Sequence, residues 1–308
     1  MLYSFKQKSQ DFIVEEQLPF KLAGQGEAFF VYFEKRNLNT MDVVKHLCKE
    51  LGISRLTLGI AGLKDKDAIT RQWISIYQRA LKKLWGEKVF IRALEEVARV
   101  VETNWHTQPM GMTQPVSNLF HIRLRAQQAV WQEDKKKIQQ QVTTLLKKWF
   151  PNFFGEQRFG VNFQNIKMGK EIIEWKLRLK EKFERKFKLQ SYSSYLFNEY
   201  LKVRLQTKRL GHLEDWEMGP VFGDDIQLSD PKSKIGQFEK RFMNEYDVNN
   251  QFFDAYKKHW IYGIKRPLWV NPKQIEFRFQ GDDILLDFEL PWGTYASILV
   301  EELLKIVQ

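Results

Sequence analysis

The residues best suited to chemistry lie in one short, charge-dense segment at positions 61–72. Apolar runs at 56–60 and 73–77 flank this segment, so it is predicted to be a loop that joins two buried strands. Gly62 can adopt backbone angles that other residues resist, which allows a tight turn close to a ligand. The loop is therefore a candidate for the functional site.

Two carboxylates and two ammonium groups alternate within this loop. Alternate side chains of an extended segment share a face, so we expect Asp65 and Asp67 to point one way and Lys64 and Lys66 the other. Such a loop can present one carboxylate to a substrate, or it can be a solvated turn without a chemical role. Paired aspartates can also ligate a metal ion in a nuclease or phosphotransferase. The loop alone does not decide among these interpretations.

The charge of the chain predicts the class of its partner. Its 308 residues carry a formal net charge of +11, with a pI near 9.4, which predicts either a nucleic acid or an acidic membrane surface. Residues 163–208 contain 12 Lys and Arg against 5 Asp and Glu, a local excess of +7. This concentration favours a local binding face over general solubility.

Cysteine content and hydropathy exclude other classes of protein. The single cysteine, Cys48, excludes an intramolecular disulfide and a zinc site built from several thiolates. Residues 1–8 do not resemble a signal peptide, and the sequence lacks the run of about 18 apolar residues that spans a bilayer. We therefore expect a soluble cytoplasmic protein.

Hydrophobic periodicity predicts an α+β fold. Strands 11–16 and 28–35 are expected to pair, and strand 118–125 alternates apolar and polar residues as a half-buried strand does. Further strands are predicted at 56–60, 73–77, 89–93, 97–101, 275–280 and 284–290, and helices at 41–51, 79–86, 130–150, 164–189, 193–208, 236–247, 251–259 and 296–307.

The order of these elements predicts two domains. Strands near both ends of the chain enclose a helical middle. We expect one domain of residues 1–152 plus 268–308, built on a mixed, largely antiparallel sheet. An inserted, mostly helical domain of residues 153–267 interrupts it.

Residues 62–73 resemble the signature of the TruD family of tRNA pseudouridine synthases. The loop reads Gly62-Leu-Lys-Asp-Lys, and Ala68-x-Thr70-x-Gln72-Trp73 follows it. Further stretches that agree, in the same order, are Lys6…Asp11-Phe12-x-Val14-x-Glu16, Asn118-x-Phe120, Pro151-Asn-Phe-Phe-Gly-Glu-Gln-Arg-Phe-Gly160, Ser194-Tyr-Leu-Phe-Asn198, Met218-Gly-Pro220 and Leu290-Pro-x-Gly293-Thr-Tyr-Ala-Ser297. The resemblance covers nearly the whole chain.

The resemblance implies an enzyme that isomerises a uridine in tRNA, at uridine-13 in the D-arm. Asp65 matches the catalytic aspartate, which acts either as a nucleophile or as the base that takes a proton from C2′. The N1–C1′ bond breaks, the freed uracil turns and rejoins through C5, and a proton then leaves C5. No redox change occurs, so the resemblance implies no cofactor and no metal. It implies a pseudouridine synthase catalytic domain around an inserted TRUD domain.

Five residues are expected to support Asp65. By resemblance, Lys6 is the basic partner that keeps the aspartate ionised, although a lysine near the N-terminus can also be a flexible surface residue. Phe120 stacks on a uracil turned out of the RNA, or else belongs to the core. Asn118 hydrogen-bonds near the flipped nucleotide, Phe12 lines the site, and Lys64 belongs to the signature itself. Glu16 is read as structural or orienting.

Contacts to the RNA backbone are predicted in the middle of the chain. Arg158, in the aromatic stretch 151–160, is a candidate phosphate ligand. The remaining candidates are basic residues of helix 164–189 and of the segment that returns to the sheet: Lys176, Arg178, Lys265 and Arg266. Charges surround helix 164–189, so it is solvated in any case. We expect salt-sensitive binding to tRNA, no membrane, no obligate protein partner, and a monomer.

Two alternatives and one departure stay open at this point. A non-catalytic RNA-binding protein would use the same basic face and tolerate the loss of Asp65. A metal-dependent nuclease or phosphotransferase would use Asp65 with Asp67 and fail in a chelator. The family often has Arg where Glu301 stands here, so any contact made by that arginine is in doubt.

Overall fold

A computed structural model describes residues 2–64, 66, 68–111, 117–146, 149–207 and 217–307. The chain divides into two compact units. Unit 1 comprises residues 1–147, 272–293 and 303–308, and unit 2 comprises residues 148–271 and 294–302. Among the described residues, the helices are all too short or too polar to cross a membrane.

The strands follow the chain in the order β1 (Tyr3–Ser4), β2 (Phe12–Gln17), β3 (Ala28–Arg36), β4 (Leu58–Gly59), β5 (Ile69–Tyr77), β6 (Arg99–His106), β7 (Ser117–Ala126), β8 (Phe150–Pro151), β9 (Met218–Val221), β10 (Ile264–Pro267), β11 (Trp269–Val270), β12 (Lys273–Gln280) and β13 (Asp283–Pro291). The helices are α1 (Thr40–Leu51), α2 (Gln78–Lys83), α3 (Glu87–Glu95), α4 (Gln132–Leu146), α5 (Gln164–Ile173), α6 (Lys182–Gln206), α7 (Lys234–Glu245), α8 (Asn250–Lys258) and α9 (Ala296–Ile306).

Unit 1 is built on a nine-stranded sheet. Its main path runs β12-β13-β7-β2-β5-β3-β6, with β1 beside β7 and β4 beside β5. Strand β2 runs parallel to β5, and the other described neighbours in this sheet are antiparallel. The prediction of an α+β fold with a mixed, largely antiparallel sheet is confirmed.

Unit 2 is mostly helical. Helices α5 to α8 surround a core to which α6 contributes a buried stripe, and two-stranded ladders join β9 to β10 and β8 to β11. Tyr256 of α8 shows how the core satisfies a buried polar group. Its hydroxyl donates to the Leu189 carbonyl at 2.6 Å and accepts a hydrogen bond from the Ser193 hydroxyl at 2.9 Å.

Local sequence explains several elements directly. Along β7 the even-numbered side chains from Asn118 to Leu124 are buried and the odd-numbered ones are half-buried, as the alternation predicts. Helix α1 begins after Asn39, whose backbone N–H donates to the Asp42 carboxylate, and it ends at Gly52 with a left-handed φ of 63°. A glycine is favoured there because a Cβ would strain that conformation.

The predicted pairing of strands 11–16 and 28–35 is wrong. Strand β5 lies between β2 and β3 and pairs with both. Strand β3 is an interior strand with β5 on one side and β6 on the other. Nearly every residue of β3 is buried, because its odd-numbered residues from Phe29 to Phe33 pack in one apolar cluster and Ala28 and Phe30 pack in another on the opposite face. Proximity in sequence suggested a hairpin, but it does not specify which strands pair.

Three further local predictions need correction. Residues 89–93 belong to helix α3, because Phe90, Ala93 and Leu94 repeat with the helical period and bury one face. The strand predicted at 97–101 begins at Arg99 and continues to His106, and the strand predicted at 56–60 is limited to β4. A short apolar run can form either a strand or a helix, so the spacing of its apolar residues has to distinguish the two.

The single basic helix predicted at 164–189 is two helices. Helix α5 ends at Ile173, and α6 begins at Lys182 and continues through the separate helix predicted at 193–208. Trp175 lies between the two helices with a φ of 60°, a left-handed conformation that cannot continue an α-helix. Tertiary packing therefore overrides the helix propensity of this basic segment.

A row of alternating basic and acidic side chains crosses one face of the sheet, with one residue on each of seven neighbouring strands. It runs Arg278, Asp287, His121, Glu15, Arg71, Glu34 and Arg99. Glu34, in the interior strand β3, is only 3% exposed and also pairs with Arg36 at 2.9 Å. Burial raises the pKa of Glu34, but hydrogen bonds from Arg71 and Arg36 and the charge of Arg99 outweigh it and lower the pKa below its ordinary value.

We expect Arg71→Gln to destabilise the fold, because it removes a hydrogen-bonded partner from a buried carboxylate. The expected loss is about 1–3 kcal/mol in the free energy of unfolding at pH 7, measured by urea denaturation. A lowered folded-state pKa means that Glu34 stabilises the fold above its unfolded pKa and loses this contribution as the pH falls through the folded pKa. Arg71→Gln should therefore move the loss of stability in acid to higher pH.

The matched control is Arg278→Gln at the exposed end of the same row. It breaks a solvent-exposed pair and should change the free energy of unfolding by about 0–1 kcal/mol. Equal losses in the two variants would contradict the view that burial of Glu34 makes its partner important.

Candidate active site

The candidate catalytic loop is described at its flanks. Asp65 and Asp67 lie outside the described residues, whereas Gly62, Lys64 and Lys66 lie within them. Lys64 is half-buried over the whole residue and Lys66 is exposed. The two lysines that the sequence placed on one face therefore have different environments.

Lys64 is anchored by both its side chain and its backbone. Its Nζ lies 2.8 Å from Glu16 Oε1 and donates to Asn118 Oδ1 at 2.6 Å, and its side chain is only 7% exposed. Its backbone N–H donates to the Thr40 hydroxyl at 3.0 Å. A buried ion pair is costly to desolvate and is retained only where geometry and further hydrogen bonds compensate. This arrangement positions the residue directly before Asp65.

Strand register explains why Glu16 and Asn118 meet the same lysine. Strands β2 and β7 are antiparallel neighbours, and Glu16 lies directly opposite Asn118. Opposite residues share a face with their side chains close together. The second carboxylate oxygen of Glu16 accepts from the Trp73 backbone N–H at 3.0 Å, which ties β2 to β5 as well.

A buried hydroxyl connects the two halves of the signature. The Thr40 hydroxyl donates to Gln72 Oε1 at 2.8 Å and accepts the Lys64 N–H. Gln72 lies in β5 and is fully buried, so a polar side chain there needs a partner. Thr40, which sequence reasoning did not single out, thereby explains why Lys64 and Gln72 occur together.

Gly62 lies close to the side chain of Trp292. A Cβ on Gly62 would lie 3.2 Å from Nε1 of Trp292, so the indole would have to move by a few tenths of an ångström to admit a larger residue. Gly62 does not have a positive φ, so the reason for glycine differs from the unusual backbone angles expected from the sequence. Trp292 is half exposed beside the loop and was also not anticipated.

Aromatic rings cluster on the same face of the sheet as Glu16 and Asn118. Phe120 is 5% exposed and stacks on Phe288 at 5.4 Å, and its ring lies 5.9 Å from that of Phe12. The Lys6 ammonium lies 4.0 Å from the centroid of the Phe12 ring. Lys6, Phe12 and Phe120 thus belong to one connected group, in which Phe120 is largely a core residue.

Arg266 has a different environment from the exposed phosphate ligand that the sequence predicted. Its guanidinium donates to Oδ1 of Asn152 at 2.5 Å and to the carbonyl of Asn152 at 3.2 Å. It lies 4.1 Å from the ring of Phe154 and 5.4 Å from that of Phe197, and the residue is 9% exposed. Burial lowers the pKa of Arg266 to about 10. The contacts of this arginine with Asn152, Phe154 and Phe197 lie within unit 2 and leave little of its side chain exposed.

The other predicted RNA ligands differ in exposure. Arg158 is half-buried, with its Nε 3.3 Å from the Ser194 hydroxyl and its guanidinium 5.0 Å from the Phe187 ring. Lys176 and Arg178 are exposed between α5 and α6, where Lys176 pairs with Glu174 at 2.7 Å. Lys265 is half-buried, 3.4 Å from Glu239. Lys176 and Arg178 therefore remain the most accessible of these candidates.

Several of the family-like stretches meet within unit 2. Asn198 accepts a hydrogen bond from the Phe154 N–H at 2.8 Å and donates to the Phe154 carbonyl at 2.9 Å. A Cβ on Gly155 would lie 2.7 Å from the Tyr295 ring and 3.0 Å from the Ser297 hydroxyl. Separate sequence motifs thus reflect one packed structural cluster.

Comparison with known proteins identifies the family. The model of the family described as tRNA pseudouridine synthase D (TruD) matches residues 3–181 and 212–303. A tRNA pseudouridine synthase D from Nitratiruptor sp. is 28% identical, and the match covers 98% of this chain and 94% of the relative. One from Wolinella succinogenes is 29% identical, with the same coverage of both chains.

A solved structure agrees with the fold. The crystal structure of a candidate tRNA pseudouridine synthase D from Methanosarcina mazei matches with a TM-score of 0.65 at 18% identity. The match covers 98% of this chain and 93% of that one. The family predicted by resemblance is confirmed, as is the enzyme class. This chain belongs to the TruD family of tRNA pseudouridine synthases.

Proposed function

We propose that this protein isomerises uridine-13 in the D-arm of tRNA, with Asp65 as the catalytic carboxylate acting on a flipped-out uridine. The observation that carries the proposal is the buried anchor of Lys64, the residue before Asp65. Lys64 is held at three points, so the loop is anchored directly before the proposed catalytic residue. Catalysis by a carboxylate requires a well-positioned group, and this anchor supports the assignment to this loop.

The reaction requires Asp65 to be ionised within a closed site. A free aspartate has a pKa of about 3.9 and is already charged at neutral pH. Burial would raise that pKa, and a nearby cation would oppose the rise. Lys6 is proposed for this role, and its ammonium over the Phe12 ring supports the assignment because Phe12 belongs to the same aromatic group as Phe120. Both nucleophilic attack and proton abstraction from C2′ need this charged form.

The aromatic group is proposed to receive the flipped uracil. Removing a base from its stack costs a few kcal/mol, and stacking on an aromatic side chain returns roughly 1–3 kcal/mol. Phe288 supports Phe120 from one side, so the base is proposed to contact the small part of Phe120 that remains accessible. Asn118, held by Lys64, is proposed to orient the nucleotide.

The proposed domain assignment follows the predicted boundaries. Residues 1–152 and 268–308 form the catalytic domain, and residues 153–267 form the inserted TRUD domain. Unit 2, with residues 148–271, supports an insertion of this extent, although residues 294–302 also group with unit 2.

We expect Asp65→Asn to abolish pseudouridine formation while binding tRNA almost as tightly as the wild type, because the amide keeps the shape and cannot act as a nucleophile or base. The matched control is Asp67→Asn, which removes the neighbouring carboxylate and should retain activity. The measurement is chemical mapping of pseudouridine in a tRNA transcript that contains uridine-13, beside a binding assay.

Product formed by Asp65→Asn at a near wild-type rate would contradict the assignment, and a wild type that binds tRNA and forms no product would favour the non-catalytic RNA-binding alternative. Loss of activity in both aspartate variants, together with inhibition by a chelator, would favour the metal-dependent alternative. Modification at another uridine would retain the reaction and change only the target position.

We expect Lys64→Met to lower kcat about 10- to 100-fold, because the loop is no longer anchored at the residue before the proposed catalytic aspartate. This variant also leaves Glu16 buried without its cation, which should destabilise the fold by about 3–5 kcal/mol. The double variant Glu16→Gln/Lys64→Met removes both charges and should recover much of the stability. A double variant that recovers stability and full kcat together would contradict the positioning role.

We expect the affinity for tRNA to fall steeply with salt, because binding releases counterions from the RNA. Replacing both Lys176 and Arg178 with Ala should reduce the slope of log affinity against log salt by about 1 for each phosphate that is no longer neutralised. Filter binding between low and moderate salt measures this slope. A slope equal to that of the wild type would remove these two residues from the binding surface.

A further inference from the structure

Exposed aromatic rings and lysines lie together on one surface of unit 2. Trp260 is 69% exposed and Trp175 is 43% exposed, and Phe183 in the first turn of α6 is also exposed. We call this group, with Lys186 and Lys258, the tryptophan surface. Large exposed aromatic groups commonly mark a binding site.

Direct contacts show that this is one surface. The Lys258 ammonium lies 4.5 Å from the centroid of the Trp175 ring, which brings the end of α8 against the end of α5. The Lys186 ammonium donates to the Trp260 carbonyl at 3.4 Å, which brings α6 to the same place. Three helices therefore contribute to a region only a few side chains wide.

Both tryptophans occupy the position after a helix where glycine is favoured. Helix α5 ends before Trp175, with a φ of 60°, and helix α8 ends before Trp260, with a φ of 54°. The Trp175 N–H donates to the Ile172 carbonyl, and the Trp260 N–H donates to the Lys257 carbonyl. A bulky residue in the left-handed region is disfavoured, and glycine is the usual choice.

Packing does not account for tryptophan at position 260. Trp260 exposes most of its side chain, so its burial contributes little that would offset the unfavourable φ. A strained, exposed residue is a reason to look for a functional role.

The surface is strongly positive. Residues 164–190 and 250–260 together contain eleven Lys and Arg against five Asp and Glu. His259 lies between Lys258 and Trp260, and nearby positive charges affect its pKa. Its pKa is lowered by burial first, and then by the charges of Arg185, Lys258 and Lys186.

We propose that the tryptophan surface binds unpaired bases of the tRNA substrate by stacking on Trp260 and Trp175, while Lys186 and Lys258 contact the adjoining phosphates. This inference rests on the proposed function for the identity of the RNA. The faces of paired bases are covered by their neighbours in the helical stack, so exposed rings are useful where bases are unstacked. Concentrated positive charge favours RNA over a protein partner.

The test uses Trp260→Gly and Trp175→Gly in the full chain, with the tRNA transcript as the probe. Each variant should weaken binding about 5- to 100-fold, because one base no longer has a ring to stack on. Glycine suits the left-handed backbone, so the melting temperature should stay equal or rise. Weaker binding without a fall in stability separates a binding role from a structural one.

Two further variants distinguish stacking from general apolar contact. Trp260→Phe retains a ring and should keep most of the affinity, whereas Trp260→Leu should not. The slope of affinity against salt should be unchanged in both and should fall by about 1 in Lys186→Ala. The control is Trp131→Ala, which removes a 79% exposed tryptophan that precedes Glu133 and Asp134, and should bind as the wild type does.

Wild-type affinity in both glycine variants would overturn the proposal. Equal affinity of Trp260→Leu and Trp260→Phe would overturn stacking, because a side chain without a ring would then serve as well as one with a ring. These results are independent of the catalytic assignment, because Asp65→Asn tests turnover and the tryptophan variants test binding. The proposed function can therefore fail while this surface still binds RNA, and the reverse also holds.

Discussion

The buried pair of Lys64 and Glu16 is the interaction on which the candidate site depends. It places two charges out of water, which is favourable only because Asn118, Thr40 and the Trp73 N–H complete the hydrogen bonding. These partners come from strands β5 and β7 and from helix α1, and Glu16 itself belongs to β2. The segment before Asp65 is thereby fixed to the centre of the sheet, even though it belongs to a loop.

The arrangement of the sheet makes that junction possible. Strand β2 lies between β5 and β7, parallel to one and antiparallel to the other, so one carboxylate on β2 can reach both neighbours. On the opposite face, the row of alternating basic and acidic side chains reaches across the same strands. The central strand thus serves two purposes: Glu16 anchors the loop on one face, and Glu15 joins the charged row on the other.

Much of this could be predicted from sequence because the relevant signals are local. Alternation in β7, the cap at Asn39 and Gly52 around α1, and the ordered motifs of the family all identify themselves in short windows. The predictions that failed concern which strands pair with each other and which secondary structure a short apolar run adopts. Strands β2 and β3 were predicted to form a hairpin because the sequence of a strand does not specify its partner. Helix α3 was predicted to be a strand because a short apolar run fits both the helical and the strand periodicity.

The sequence by itself determined the fold class, the family and the identity of the candidate catalytic residue, since these depend on residue types in a fixed order. Only the tertiary structure decided how side chains are used. Arg266 looked available to RNA and is buried against Asn152 and Phe154, while the exposed Trp175 and Trp260 carried no signal in sequence. The reason is physical: exposure, ion pairing and the meeting of distant helices depend on which surfaces pack together, and a linear pattern does not contain that information.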